Sequence, residues 1–176
     1  MHSIWNQFCA SIYSLNVSGL KDKVKRAQVF SWLHNRNAYI YFLQETHSTP
    51  DCETFWKDGW GNKNIYFSHG TSNSRGVCIL FDNSCDYEVK TSYFDDNGRV
   101  IILDIILNNQ KITLVNVYGP NIDDQPSSQM YIESLMILIV NPSFGEGTLI
   151  VFKMLCWTRE GVGLLLILIP ESVLMT

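Results

Sequence analysis

Three features that the sequence lacks narrow the class of protein. Its longest apolar runs, such as residues 164–169, have six residues, far fewer than the roughly 20 that a membrane-spanning helix needs. Its five cysteines include no CxxC pair and no Cys/His spacing typical of structural zinc, so we expect buried free thiols in a reducing compartment. It also lacks a basic excess: 13 Lys and Arg stand against 17 Asp and Glu, for a net charge of −4, whereas nucleic-acid-binding domains are usually basic.

What is present indicates one folded domain. The chain has 176 residues, of which 46% are hydrophobic and 17% charged. This apolar content excludes a disordered chain, and the length suits a single domain. The apolar residues are concentrated in residues 144–176, which is unusual for the end of a domain.

The hydrophobic pattern predicts a mixed α/β protein with more strands than helices. An Asn97-Gly98 pair favours a tight hairpin between two of the strands. Residues 51–64 are more typical of a loop or short helix. We predict strands at 12–15, 39–43, 65–68, 77–81, 88–93, 100–107, 111–118 and 148–151, and helices at 21–36 and 128–140.

One dense basic cluster lies in the first predicted helix, and we interpret it as a solvated helix face rather than a DNA contact. It consists of Lys21, Lys23, Lys25 and Arg26. The N-terminal residues lack the basic and apolar regions of a signal peptide, so we expect an intracellular protein.

Polar side chains gather where the apolar strands end. Asn16 ends the first strand, Gln44 to His47 follow the second, and Tyr118 to Asn121 end the strand from Lys111. Such strand ends can meet at one rim of a sheet, where ligands often bind. A carboxylate flanked by amide side chains suits a hard cation such as Mg²⁺, which keeps waters and substrate phosphates as its other ligands.

Each of these residues also has an ordinary structural interpretation. An Asn at a strand end is usually a turn former, Glu45 a surface charge, His47 a loop histidine and Tyr118 a core or rim aromatic. Only their combination favours a site.

The segments around these residues resemble the motifs of the exonuclease–endonuclease–phosphatase superfamily. Residues 14–20 (SLNVSGL) and 42–48 (FLQETHS) are similar to its first two motifs, and more narrowly to the endonuclease domain of LINE-type retrotransposons. Further matches follow in the same order and spacing over residues 12–150. They are 67–70 (FSHG), 72–77 (SNSRGV), 96–99 (DNGR) and 114–121 (LVNVYGPN).

The resemblance implies a DNase I-like fold, in which two β-sheets pack face to face and are flanked by helices. It also implies hydrolysis of DNA phosphodiesters with Mg²⁺ or Mn²⁺, and action in the nucleus. Carried over to this chain, Glu45 matches the metal-binding glutamate and Asn16 the asparagine near metal and phosphate. Tyr118 and Asn121 match residues that contact the phosphate or position the site. Thr46, His47 and Arg99 are family signatures without a catalytic role.

The late motifs of the family are missing. The strand at 148–151 resembles the one that precedes Gly-Asp-Phe-Asn, yet no Asp or Asn follows Asn141. If the codons of residues 153–158 are read one nucleotide earlier, they encode five residues. The first is Asn or Asp, the second Val or Ala, the third Leu, Met or Val, the fourth Leu and the fifth Asp. The family commonly continues with Asn-Val-Val-Leu-Asp. We therefore predict a frameshift near Val151, so that residues 12–151 are a partial domain, incomplete at its C-terminus, and 152–176 an out-of-frame apolar tail.

Four functional readings remain open at this stage. The first is an active Mg²⁺-dependent DNA endonuclease, and the second a catalytically dead fragment with weak nucleic-acid binding. The second is favoured for this polypeptide because the late motifs are missing. The third is a phosphodiesterase for small phosphoesters, which the motif set disfavours. The fourth is a plain interaction domain, which requires that Asn16, Glu45, Tyr118 and Asn121 do not share one face.

Overall fold

The fold is known here from a computed structural model. It describes residues 11–61 and 64–119, except for the side chain of Gln110, and the backbone of three later strands.

In the part of the chain that the structure describes, ten strands form two five-stranded sheets, and two α-helices accompany them. The first sheet has the order β10-β1-β2-β4-β3 and the second β5-β6-β7-β8-β9. A 3₁₀ turn at Pro50–Cys52 leads into the second helix. The helices are α1 (Lys23–His34) and α2 (Glu53–Trp60). The strands are β1 (Ser11–Asn16), β2 (Ile40–Gln44), β3 (Ile65–Ser68), β4 (Val77–Phe81), β5 (Tyr87–Phe94), β6 (Val100–Leu107), β7 (Gln110–Val117), β8 (Leu135–Asn141), β9 (Thr148–Met154) and β10 (Leu164–Ile167).

The two sheets pack face to face around one core, as the predicted DNase I-like sandwich requires. Strand β2 is buried along its whole length because both of its faces are covered. Ile40 and Phe42 belong to the cluster between the sheets, which also contains alternate residues of β6. Tyr41 and Leu43 belong to a second cluster with the two helices. Both helices in the described part of the chain therefore flank the first sheet.

Helix α1 connects two parallel strands, which a hairpin cannot do. Its N-cap is Asp22, whose side chain accepts a hydrogen bond from the Lys25 amide at 2.7 Å, as is typical of an N-cap aspartate. The apolar residues Val24, Phe30 and Leu33 follow one another at helical spacing, but only the last two face inward. Phe30 and Leu33 are buried, whereas Val24 is 64% exposed.

The predicted hairpin between β5 and β6 is confirmed. The strands pair antiparallel, and the amide of Asp95 donates to the carbonyl of Val100 at 3.1 Å across the turn. Gly98 takes a φ of 70°, a conformation that glycine adopts without strain.

The helix predicted at 128–140 is wrong over its second half, where the chain forms strand β8 instead. Residues 135–140 are apolar at every position and rich in β-branched side chains. A short run that is apolar at every position is compatible with a buried helix segment and equally with a strand covered on both faces. Residues 128–134 lie outside the described part of the chain.

The predicted boundary between residues 151 and 152 falls inside strand β9, which continues to Met154. Strand β10 pairs antiparallel with β1 at the edge of the first sheet. The frameshift itself is a property of the coding DNA and stays a prediction. No helix among the described residues is long and apolar enough to cross a membrane.

Candidate active site at the rim of the sandwich

The first two candidate residues come together because β1 and β2 run parallel. In this pairing Asn16 is level with Gln44, and Glu45 follows directly. Asn16 and Glu45 therefore leave the same edge of the sheet on neighbouring strands. The side chain of Asn16 accepts a hydrogen bond from the Ser18 amide at 3.0 Å, so it also acts as the turn former that its position suggests.

Glu45 is held in a left-handed backbone conformation with a φ of 51°. A residue with a β-carbon pays roughly 1–2 kcal/mol for this conformation, so its surroundings must impose it. The carbonyl of Glu45 accepts a hydrogen bond from the Gly19 amide at 2.6 Å. Such imposed backbone conformations are concentrated at functional sites.

Tyr118 reaches Glu45 from the opposite sheet. It follows strand β7, and its hydroxyl donates to Oε1 of Glu45 at 2.6 Å. The amide of Tyr118 donates to the carbonyl of Arg99 at 2.8 Å, which fixes the backbone beside the hairpin turn. Two residues that are 73 positions apart in the sequence, and that follow strands of different sheets, are thus in contact at the rim.

The structure therefore brings Asn16, Glu45 and Tyr118 to one rim. Asn121, the fourth predicted site residue, lies outside the described part of the chain.

A buried polar network beneath the rim was not predicted. The side-chain amide of Gln44 donates to Oδ1 of Asn116 at 2.8 Å, and Asn116 donates to the carbonyls of Leu43 at 3.1 Å and Cys78 at 2.8 Å. Asn116 is fully buried and joins the two sheets immediately below Glu45. Its signals in the sequence are its place as a polar residue within an apolar strand and its position in the motif match at residues 114–121.

Basic groups line the same rim. Nζ of Lys25 donates to the carbonyl of Ser18 at 2.8 Å. Burial lowers the pKa of His47, Glu45 acts against this shift, and Lys25 lowers the pKa further. His47 also packs closely on Gly19, where an added β-carbon would lie 2.8 Å from its Nδ1 atom.

The side-chain oxygen atoms at the rim suit a hard cation that takes few ligands from the protein and keeps water and phosphate as the others. Oε1 of Glu45 is bonded to Tyr118, while Oε2 makes no hydrogen bond within the described residues. No group of three His, Cys, Asp or Glu side chains suited to a metal occurs in that part of the chain. One carboxylate and an amide oxygen from Asn16 are a donor set typical of Mg²⁺, which needs only one or two carboxylates beside water and phosphate.

Asp95 stabilises the hairpin turn next to this rim. Its Oδ1 atom accepts hydrogen bonds from the amides of Arg99 and Val100 at 2.7 Å each and from the hydroxyl of Ser68 at 2.6 Å. Burial alone would raise the pKa of Asp95, but these hydrogen bonds outweigh it and lower the pKa.

A lowered pKa in the folded state means that Asp95 stabilises the fold above its unfolded pKa of about 3.9 and loses this effect as the pH falls through its folded pKa. We expect Asp95→Asn to reduce the free energy of unfolding at pH 7 and to flatten its decline below about pH 4. Urea unfolding across this range measures both effects. Asp96→Asn, at an exposed neighbouring position, serves as the control, and identical pH profiles for the two variants would contradict the prediction.

Comparison with known proteins agrees with this architecture. The chain is 34% identical over 125 residues to the uncharacterized 149 kDa protein of transposon TX1 from Xenopus laevis. That alignment covers 71% of this chain but only 9% of the Xenopus protein, so the chain spans a small part of its relative. No protein-family model matches the chain.

Among solved structures, a humanized D. rerio TDP2 carrying 14 mutations has a TM-score of 0.50 at 22% identity, over 66% of this chain and 53% of that one. The AP endonuclease LMAP from Leishmania major has a TM-score of 0.49 at 17% identity, over 64% of this chain and 41% of that one. The D. rerio comparison supports the fold alone. The chain therefore has the predicted DNase I-like fold, and 71% of it is similar in sequence to a small part of a transposon-encoded protein.

Proposed function

We propose that the rim formed by Asn16, Glu45 and Tyr118 is the metal- and phosphate-binding part of a DNA phosphodiesterase site. The observation that carries this proposal is the hydrogen bond from the Tyr118 hydroxyl to Oε1 of Glu45 at 2.6 Å. This bond leaves the second carboxylate oxygen for a ligand and sets the orientation of the carboxyl group. Groups that orient a metal-binding side chain in this way strongly affect metal affinity.

In this proposal Glu45 and Asn16 hold the divalent cation, Mg²⁺ or Mn²⁺. When bound, the cation supplies stabilisation of negative charge on phosphate oxygens. Tyr118 positions Glu45, and Asn121 contacts the phosphate, a role that rests on the motif resemblance alone. The basic side chain of Lys25 lies beside the rim and favours binding of the anionic sugar-phosphate backbone of a nucleic acid. The whole chain nevertheless carries a net charge of −4.

We propose DNA as the substrate. The sequence relative is encoded by a transposon, and one protein of similar fold is an AP endonuclease by name. Action on chromosomal DNA would place the protein in the nucleus.

For the 176-residue polypeptide itself we propose binding without turnover. Residues 152–176 contain no Asp, Asn or His, and residues 148–151, which resemble the segment before Gly-Asp-Phe-Asn, are followed in the sequence by Phe-Lys-Met. The groups that would position the attacking water are therefore missing at the place where the motif order requires them.

Metal binding tests the site independently of turnover. We expect the chain to bind Mn²⁺, measured as loss of the electron paramagnetic resonance signal of the free ion, and Glu45→Gln to weaken this affinity at least roughly tenfold. Glu88→Gln removes an exposed carboxylate, paired with Lys90, on strand β5, and should leave the affinity unchanged. Equal affinity in the wild type and Glu45→Gln would contradict the proposed site.

A further inference from the structure

The segment that carries Glu45 is strained on both sides of Thr46. Glu45 and His47 both have positive φ angles, of 51° and 54°, and neither is glycine. Each such residue costs roughly 1–2 kcal/mol, so the segment keeps this shape only if its neighbours hold it. Thr46 lies between the two strained residues and is fully buried.

The Thr46 hydroxyl begins a series of hydrogen bonds that leads away from the rim, and the first of them is buried. It donates to Oγ of Ser48 at 3.1 Å, and Ser48 is fully buried as well. The opposite side of Thr46 is closed by Gly76, where an added β-carbon would lie 2.5 Å from the Thr46 hydroxyl oxygen. The hydroxyl therefore has little room to move.

His69 continues this line from Ser48 to helix α2. Its Nδ1 atom lies 3.1 Å from Oγ of Ser48, and its Nε2 atom lies 3.0 Å from Oε1 of Glu53. The other oxygen of Glu53 accepts a hydrogen bond from Nζ of Lys57 at 2.5 Å. His69 thus connects the segment after β2, the loop after β3 and the first turn of α2.

The chemistry of the partners decides which ring nitrogen of His69 carries the proton. Burial alone would raise the pKa of Glu53, but the hydrogen bonds from Lys57 and His69 outweigh it and lower the pKa. The carboxyl group is therefore ionised and only accepts hydrogen bonds, so Nε2 is the donor. Ser48 accepts from Thr46, so its own hydroxyl proton is available to Nδ1, which accepts it when the ring proton is on Nε2.

We propose that His69, as the neutral Nε2–H tautomer, is a positioning residue for Glu45 that acts through Ser48 and Thr46. The acceptor at Nδ1 orients the Ser48 hydroxyl, which in turn holds Thr46 and the strained segment around it. This inference rests on the proposed metal site, because the position of Glu45 matters for function only if Glu45 binds a ligand.

Two substitutions separate this role from a general contribution to stability. His69→Asn keeps an acceptor near the place of Nδ1 and loses the contact with Glu53. His69→Gln keeps a donor near the place of Nε2 and loses the acceptor for Ser48. We expect His69→Asn to retain wild-type Mn²⁺ affinity and His69→Gln to weaken it roughly tenfold, as is typical for groups that support a metal ligand.

An amide NMR spectrum provides a readout that does not require metal. We expect the Glu45 and Thr46 amide signals to shift in His69→Gln but to stay near their wild-type positions in His69→Asn, and the ¹⁵N shifts of His69 to report a proton on Nε2. If His69→Gln does not fold, Ser48→Ala breaks the same line and should shift the same signals.

The outcomes distinguish this inference from the proposed function. If the wild type binds no Mn²⁺ while the amide signals behave as expected, the proposed site is wrong and the linkage from His69 to the Glu45 segment stands. If His69→Asn and His69→Gln change affinity and amide signals equally, or if the proton is on Nδ1, the inference is overturned.

Discussion

A chain whose reading frame is restored after Val151 is expected to nick supercoiled DNA in the presence of Mg²⁺, whereas the 176-residue chain is not. The reason is that the restored segment would supply the Asp and Asn side chains that position water and stabilise the transition state. Removing one preorganised group of this kind costs about 10²–10³ in rate, and here several are absent together. The measurement is conversion of supercoiled plasmid to the open circle.

The restored chain also tests the roles of the rim residues. We expect Glu45→Ala to lower its nicking rate at least about 10²-fold, while Glu88→Ala, on the exposed face of β5, leaves it unchanged. Two results would contradict the hypothesis. The coding DNA could lack Asn-Val-Val-Leu-Asp or a close variant in the earlier frame, or the restored chain could fold and yet fail to nick.

The second large effect is expected at Asn116, which joins the two sheets beneath the rim. Asn116→Ala removes the acceptor for the Gln44 amide and two donated hydrogen bonds in a fully buried place. Each buried polar group left without a partner costs about 1–3 kcal/mol, so we expect a loss of about 3 kcal/mol in the free energy of unfolding.

Urea unfolding at pH 7 measures this loss. The matched control is Asn73→Ala, at an exposed position, which should change the free energy of unfolding by less than about 0.5 kcal/mol. A loss below about 1 kcal/mol for Asn116→Ala would show that the network contributes no more than an average hydrogen bond.

The elements of the fold follow closely from local patterns in the sequence. Strand β6 is predicted with the observed limits because its apolar residues begin soon after a clear turn at Asn97-Gly98. Its hairpin partner is the strand that directly precedes it in the sequence. Helix α1 is predicted two residues too long at each end, since a helix boundary depends on the cap at Asp22. Strand β8 is predicted as a helix because a run that is apolar at every position has no period to read.

The site is predictable only in part, for a different physical reason. Asn16 and Glu45 are found because they end apolar strands and match known motifs. The partner of Glu45, the Tyr118 hydroxyl, belongs to another sheet, and the link from His69 to Ser48 spans 21 positions. Contacts of this kind depend on which strands become neighbours, and no local propensity encodes that choice.

The sequence alone determined that this chain is a mixed α/β domain, that polar residues end its apolar strands and that its motif order breaks off after Val151. Only the tertiary structure decided that Glu45 meets Tyr118, that Asn116 joins the sheets and that His69 supports the segment around Thr46. The physical reason is that strand periodicity and turns act over a few residues. Hydrogen bonds between buried side chains, by contrast, need partners that only the folded sandwich brings within about 3 Å of each other.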